Sequence, residues 1–481
     1  QQPMALMDSV EVQRSPSLQS APTSISTFAL FEDRNARFTL AFLVALPSAY
    51  VWALPWLAEE SIGFASRCRG YPHCDEDYMG VVTVGDYLAS PQATGAYAAV
   101  FFWPIFHMWS LKDLVSMVAG QNVGVALVSA FYGSFGLSLA MPVTVSRSAN
   151  HLATLATWLC AVGCLSTLSW RFRFRRLRLF RTVLAVGVLS SGLSALWLGS
   201  LSLKRMLGRI GMVPGPSLWP WMVFVLEATS LSCLSLLPWF WKVGDHEEYL
   251  EPGSASMVTL RSSSSRRRFP LILPALVPVL YVWSLPLLAK LDFARECVGL
   301  PRCTDSSIGA SVSNFIATPQ ATGAMAAAFF WPLGHMWSHK GEIQGPQQFG
   351  LLLSFYIFFG MFLACPVTVY PSAHMAVVGV FCLCGLLYFK GLLKHCQETM
   401  LFYCRVLLRT SILAFSGVVF LNLFNLMGYL FGREHVVRDF VPWLFYMCEA
   451  AGLSCMSLFP WFWHVRRGHW NARRPPPPGA A

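Results

Sequence analysis

One passage of this chain occurs twice. SPQATGAYAAVFFWPIFHMWSLK starts at Ser90, and TPQATGAMAAAFFWPLGHMWSHK starts at Thr318, 228 positions later. The likeness continues on both sides. YVWALPWLA at 50–58 returns as YVWSLPLLA at 281–289, and PVTV at 142–145 returns at 366–369. SANHLA at 148–153 resembles SAHMAV at 372–377, and EATSLSCLSLLPWFWKV from Glu227 matches EAAGLSCMSLFPWFWHV from Glu449. The offset drifts only from 231 to 222, so insertions are small and fall in loops. Such a chain folds as two copies of one unit.

The nature of the unit follows from its apolar content. The chain is 55% hydrophobic and 12% charged, more apolar than a soluble fold of this length can bury. Windows of about 20 apolar residues, the length needed to cross hydrocarbon, recur along it. The alternating pattern of an outer-membrane barrel is not seen. The expected fold class is an all-α polytopic membrane protein of about 12 transmembrane helices, built as two parallel six-helix repeats. Spans are expected near 37–58, 94–113, 122–143, 150–169, 180–202 and 218–241. The second set falls near 269–289, 322–340, 348–369, 373–390, 403–428 and 440–463. Six is even, so both copies enter the membrane from the same side and the repeats are parallel, not inverted.

This divides the chain into membrane domains at 37–242 and 269–465. They are joined by a linker at 243–268 and flanked by a polar, Ser-rich segment at 1–36 and a basic, Pro-rich tail at 466–481, both expected to be disordered. The chain opens on Gln1 and shows no apolar signal-peptide core near it, which reads as an incomplete or processed start.

The net charge of +11 is no nucleic-acid signature. Much of it flanks apolar windows: Arg171, Arg173, Arg175, Arg176, Arg178 and Arg181, then Arg266 to Arg268. With Arg466, Arg467, Arg473 and Arg474 these fall on one face. The long loop 59–93, with Glu59, Glu60, Asp75, Glu76, Asp77 and Asp86, falls on the other. The positive-inside rule then places both termini in the cytosol and the long loops in a lumen or outside the cell. The loop carrying Lys204, Arg205 and Arg209 is a local exception.

Orientation bears on the cysteines. Of fourteen, ten lie in or next to expected helices, as small apolar residues do. The other four form two C-x5-C pairs in the long loops: Cys68 with Cys74, and Cys297 with Cys303. An oxidising compartment favours two disulfides. A zinc site is the rival reading, but only His73, in one copy, stands nearby as a further ligand.

Polar residues inside a membrane helix are costly and invite a functional reading. Those retained in both copies are Gln92 and Gln320, Thr94 and Thr322, His107 and His335, Thr144 and Thr368, His151 and His374, and Glu227 and Glu449. His107 lies about 20 Å into its helix and Glu227 about 14 Å, at 1.5 Å per residue. His151 opens its own helix, so the three do not converge on one metal ion. A buried contact between His107 and Glu227 is one reading, and a proton- or headgroup-binding role is the other. His151 and His374 read equally as helix starts or as headgroup contacts. In PQATGA, Pro suits a first turn. Gln and Thr there either cap free N–H groups or face a ligand, and an anionic one is favoured at a helix N-terminus. PWFWK and PWFWH are interfacial anchors. No catalytic triad, P-loop, dinucleotide fingerprint or HExxH motif is present, so neither catalytic residues nor a cofactor is expected.

In combination these features resemble the Frag/DRAM/Sfk family, also described as the Cwh-type N-terminal membrane domain. The shared pattern is six helices, a cysteine-bearing outer loop after the first and a Pro-containing segment before the second. A His in helix 2, a His starting helix 4 and an acidic residue in helix 6 complete it. Cys68, Pro91, His107, His151 and Glu227 carry it in 37–242. Cys297, Pro319, His335, His374 and Glu449 carry it in 269–465, so the domain stands here in tandem.

The resemblance implies residence in an endomembrane (ER, Golgi or lysosome) or the plasma membrane, with membrane lipids, GPI lipids among them, as partners. The expected function is non-catalytic lipid handling or accessory work in GPI-anchor lipid remodelling. A transporter built from parallel repeats and a structural subunit of a membrane complex are the alternatives. An intramembrane hydrolase is disfavoured by the differing depths of His107, His151 and Glu227.

Overall fold

The computed structural model describes residues 34–59, 62–65, 82–171, 178–206, 219–248, 272–294, 311–338, 346–396, 402–430 and 443–473. Cys68, Cys74, Cys297 and Cys303, the linker arginines and the final Pro run lie outside them. All regular structure among the described residues is helical. The first half contributes α1 (Arg34–Leu57), α2 (Pro91–Ser110), α3 (Lys112–Ala119), α4 (Gln121–Ala140), α5 (Arg147–Arg171), α6 (Arg178–Met206) and α7 (Trp219–Glu248). The second contributes α8 (Ile272–Lys290), α9 (Val312–Phe315), α10 (Pro319–Ser338), α11 (Pro346–Ala364), α12 (Pro371–Cys396) and α13 (Phe402–Leu430). The last helix, α14, spans Leu444–Arg473.

Among the described residues, six stretches are long and apolar enough to cross a membrane: Gln121–Ala140, Arg147–Trp170, Arg178–Leu203, Trp221–Pro238, Pro371–Lys394 and Phe402–Phe424. Ala41–Leu57, Pro274–Lys290 and Gln348–Ala364 are shorter apolar helices. The surface agrees with a lipid solvent. Leu196 and Leu413 are 72% and 73% exposed, and Leu287 and Phe420 also point outward, where water would not tolerate a continuous apolar rim. The chain is an all-α, multi-pass membrane protein. Helix-internal prolines such as Pro104 and Pro332 are tolerated because neighbouring helices satisfy the freed backbone groups. The short helix α3 occupies what the sequence marks as a simple connection.

The helices of the two halves do not keep to themselves. Around α5, neighbours in sequence pack together, with α4 on one side and α6 on the other, and α12 packs likewise between α11 and α13. At the centre the order changes. α2 lies against α10 and α11, and α10 lies against α4, so each half's second helix is covered by a helix from the other half.

Small residues make this possible. A Cβ at Gly95 would overlap the main-chain carbonyl of Leu363 on α11, and one at Gly323 would overlap that of Leu139 on α4. A Cβ on Gly136 would stand 3.1 Å from that of Ala327, and one on Gly360 3.0 Å from that of Ala99. Without a hydrophobic drive between helices in lipid, such close backbone contact is what holds them. Phe102 meets Phe330 edge-on at 4.8 Å beside these contacts.

Candidate functional site

A carboxylate deep in a helical bundle needs donors, because an unpaired one costs several kcal/mol to desolvate. Glu227, two turns into α7 and 1% exposed, has them. Its Oε2 accepts the Val84 N–H at 2.8 Å, and its Oε1 accepts the Trp158 Nε1–H at 3.3 Å. Glu449 on α14, 6% exposed, accepts the Val312 N–H at 2.7 Å. Both acidic residues therefore hold the main chain just ahead of α2 or α10.

That chain was expected in an outer loop, yet residues 82–84 and 86–90 are buried, as are 311–317. Non-helical backbone survives inside a membrane protein only where protein groups satisfy it. Each carboxylate meets one N–H of this backbone, and local turns and side chains meet others. Thr94 and Thr322, expected at a helix start, help by donating to the carbonyls of Leu88 and Ile316, each at 2.8 Å. Ser90 caps α2 by accepting the Ala93 N–H at 3.3 Å, Pro91 takes the first helical position, and Thr318 accepts from Ala321 N–H in the same way.

The buried turns differ in chemistry. In the first, Asp86 Oδ2 accepts from the Thr83 N–H at 2.8 Å and the Thr83 hydroxyl at 2.9 Å. Its Oδ1 pairs with Arg147 Nη2 at 2.9 Å. The second has Asn314 in place of Asp86, bonded to Ser311. The residue matching Arg147 there is Pro371. A neutral amide needs no cation, so ion and counter-ion are replaced together.

Glu227 also forms one wall of a cavity of about 50 Å³. Gly85 contributes from the entering segment, Thr94 and Tyr97 from α2, Phe135 and Ser138 from α4, and Asn150, Thr154, Thr157 and Trp158 from α5. A space of this size, with several polar groups in its wall, has room for a water molecule or two.

Aligning PVTV with PVTV sets Phe362 opposite Ser138, His374 opposite Asn150, Val378 opposite Thr154, Phe381 opposite Thr157 and Cys382 opposite Trp158. Those side chains fill the equivalent volume. Phe362 stacks on Phe381 at 6.2 Å and meets His374 at 5.3 Å, and Phe359 meets Phe381 at 5.5 Å. Glu227 borders a cavity with hydroxyls and an amide in its wall; the matched positions of the second half carry a cluster of aromatic rings.

The histidines fall into place differently from the expectation. His374 matches Asn150 rather than His151. Its Nδ1 bonds the carbonyl of Cys365, as Asn150 Nδ2 bonds the carbonyls of Met141 at 2.9 Å and Ser138 at 3.0 Å. SANHLA and SAHMAV align without a gap, so the expected His151–His374 pairing is one residue out of register and the true match is polar Asn150 with polar His374. His151 is half-buried on α5, opposite Met375.

His107 and His335 sit near the far ends of α2 and α10, stacked on Trp103 at 5.8 Å and Trp331 at 5.1 Å. Glu227 shares its cavity with Thr94 and Tyr97, about 15 Å or more from His107 along α2 at 1.5 Å per residue. The contact of His107 with Glu227 does not form. Thr144 is half-buried, with its hydroxyl oxygen enclosed and unbonded, and Thr368 is half-buried in the matching turn. Gln92 is buried with its Oε1 unbonded, while Gln320 is half-buried.

What the sequence reading missed is Trp158 and the Asp86–Arg147 pair. Neither recurs in the second copy, so comparison of the copies passed over them. No group of three or more His, Cys, Asp or Glu side chains arranged to hold a metal occurs among the described residues. No family model, curated protein or solved structure matches the chain.

Proposed function

We propose that the chain is a non-catalytic lipid-handling protein of the Frag/DRAM/Sfk type, built from two parallel six-helix repeats with about twelve spans. On this reading its termini are cytosolic, and the end of the bundle holding the buried turns is lumenal or extracellular. GPI-anchor lipid remodelling is one form that such accessory work takes. The observation that carries the reading is the Glu227 cavity, a small, largely apolar space with a carboxylate, an amide and hydroxyls in its wall. It has room for the small polar end of a headgroup, with Leu139, Phe135 and Leu231 as an apolar flank beside it.

The polar groups support holding rather than chemistry. The hydroxyls of Thr94, Ser138 and Thr157 are committed to main-chain carbonyls, and Glu227 is committed to the entering turn. A transporter would need a polar path between the halves. The contact between them is instead closed by Phe102 on Phe330 and by Gly95 and Gly323 against facing backbone.

The test is lipid extraction from the purified protein, compared with the host membrane. One headgroup class should be enriched in the native protein and lost in Glu227→Gln. A bound-lipid profile identical to the host membrane overturns the reading.

A further inference from the structure

Hydrogen-bond bookkeeping around the Glu227 cavity specifies its occupant further; this step rests on the lipid-handling reading of the same site. The Ser138 hydroxyl donates to the Phe135 carbonyl at 2.7 Å, Thr157 to that of Ala153 at 2.9 Å, and Thr94 to that of Leu88 at 2.8 Å. Each hydroxyl has one hydrogen and two lone pairs, so each is left with acceptor capacity alone. Asn150 sends its amide hydrogens to the carbonyls of Ser138 and Met141. That leaves its Oδ1, the atom closest to where a Cβ on Gly85 would stand, as an acceptor. Trp158 spends its one N–H on Glu227.

A carboxylate takes about four hydrogen bonds over its two oxygens, and Glu227 receives two. Its remaining lone pairs are the strongest acceptors in the chamber. Against this excess stand only the hydroxyls of Tyr97 and Thr154 as uncommitted donors.

We propose that the Glu227 cavity is a binding site for a primary ammonium group, carried by an aminoalcohol lipid headgroup or by a free amine. Three hydrogens on one small cation match an acceptor-rich chamber with one negative wall. A trimethylammonium has no N–H hydrogen to donate to these acceptors. The second half cannot take the same ligand, since Phe362 and Phe381 stand where Ser138 and Thr157 leave room.

The test uses the full chain in nanodiscs of phosphatidylcholine, titrated with ethanolamine, choline and ethylene glycol by calorimetry. Ethanolamine should saturate one site, with choline and ethylene glycol at least tenfold weaker. Glu227→Gln should lose the site. Because that variant also loosens the entering turn, Ser138→Ala/Thr157→Val is the second probe. It removes two acceptors whose own bonds lie within their helices, should keep the native melting temperature, and should weaken ethanolamine about tenfold. Glu449→Gln should bind as the native protein does.

Equal binding of ethanolamine and choline, or native affinity in the double variant, overturns the proposal. Bound-lipid extraction separates the sources and the two readings. Enrichment of an ethanolamine lipid supports both. Enrichment of only choline or inositol lipids, with no saturable ethanolamine binding, sinks the ammonium site and leaves lipid handling standing. Saturable ethanolamine binding with no enriched lipid supports the ammonium site with a free amine as its source, and sinks lipid handling.

Discussion

The two halves solve one problem with the same bonds and then part company. Tyr50 donates to the Ala93 carbonyl at 2.8 Å, and Tyr281 to that of Ala321 at 2.7 Å. Trp52 reaches Ser232 at 3.1 Å, and Trp283 reaches Ser454 at 2.9 Å. Tyr87 packs edge-on against Phe224 as Phe315 does against Tyr446. Around the carboxylates the likeness stops, with hydroxyls, Asn150 and an ion pair on one side and phenylalanines and His374 on the other. A frame can thus be kept for folding while one of two equivalent chambers is closed with aromatic rings.

The comparison breaks most visibly if the plug is removed. Phe362→Ser should cost about 3–5 kcal/mol, as large-to-small changes of buried Phe do. Ser138→Ala should shift stability by less than about 0.5 kcal/mol, a change without a lost packing contact. Denaturant titration in mixed micelles reads both, and similar costs would show that the first chamber is packed too. Next come the crossing glycines. Gly95→Val and Gly323→Val should each lose about 3 kcal/mol, and by closely similar amounts, because each faces a carbonyl of the opposite half. A loss at one position alone would make the crossing lopsided.

Smaller effects sharpen the contrast. Gln at 227 offers one acceptor oxygen to two N–H groups, leaving a buried donor unmatched at a cost of about 1–3 kcal/mol. Gln at 449 keeps an oxygen for Val312 and should lose less than about 1 kcal/mol, so thermal melts should rank Glu227→Gln well below Glu449→Gln. Smallest is the exchange at the matched polar position. Asn150→His should cost no more than about 1.5 kcal/mol, since His374 already makes the equivalent carbonyl bond; a collapse of the protein would undo the register proposed for the two copies.

Much of this was legible in the residues. Apolar windows located most of the long helices to within a few positions, though α7, α12 and α14 run six to ten residues past their expected ends. Glu227, Glu449, Thr94 and Thr322 stood out as polar groups of expected spans or their starts that both copies kept. The burial of 82–84 and 86–90 was not legible, because VVTVGDYLA reads as an ordinary loop until the carboxylate that accepts the Val84 N–H is seen beside it. Nor was the crossing. In lipid a helix is apolar all round, so its pattern says where it runs but not which neighbour it faces. The usable signal was glycine at matched places, Gly95 with Gly323 and Gly136 with Gly360, where a side chain would have done for any lipid-facing role.

The crossing also carries a schedule. A ribosome adding about 5–20 residues per second finishes α2 on the order of ten seconds or more before α11, the helix that receives Gly95, has been made. During that interval the small-residue faces of α2 and α4 have no partner but lipid or the insertion machinery. The first half therefore cannot mature as it emerges; it waits for the second, and a truncated message would deliver a unit with an open seam rather than half a working protein.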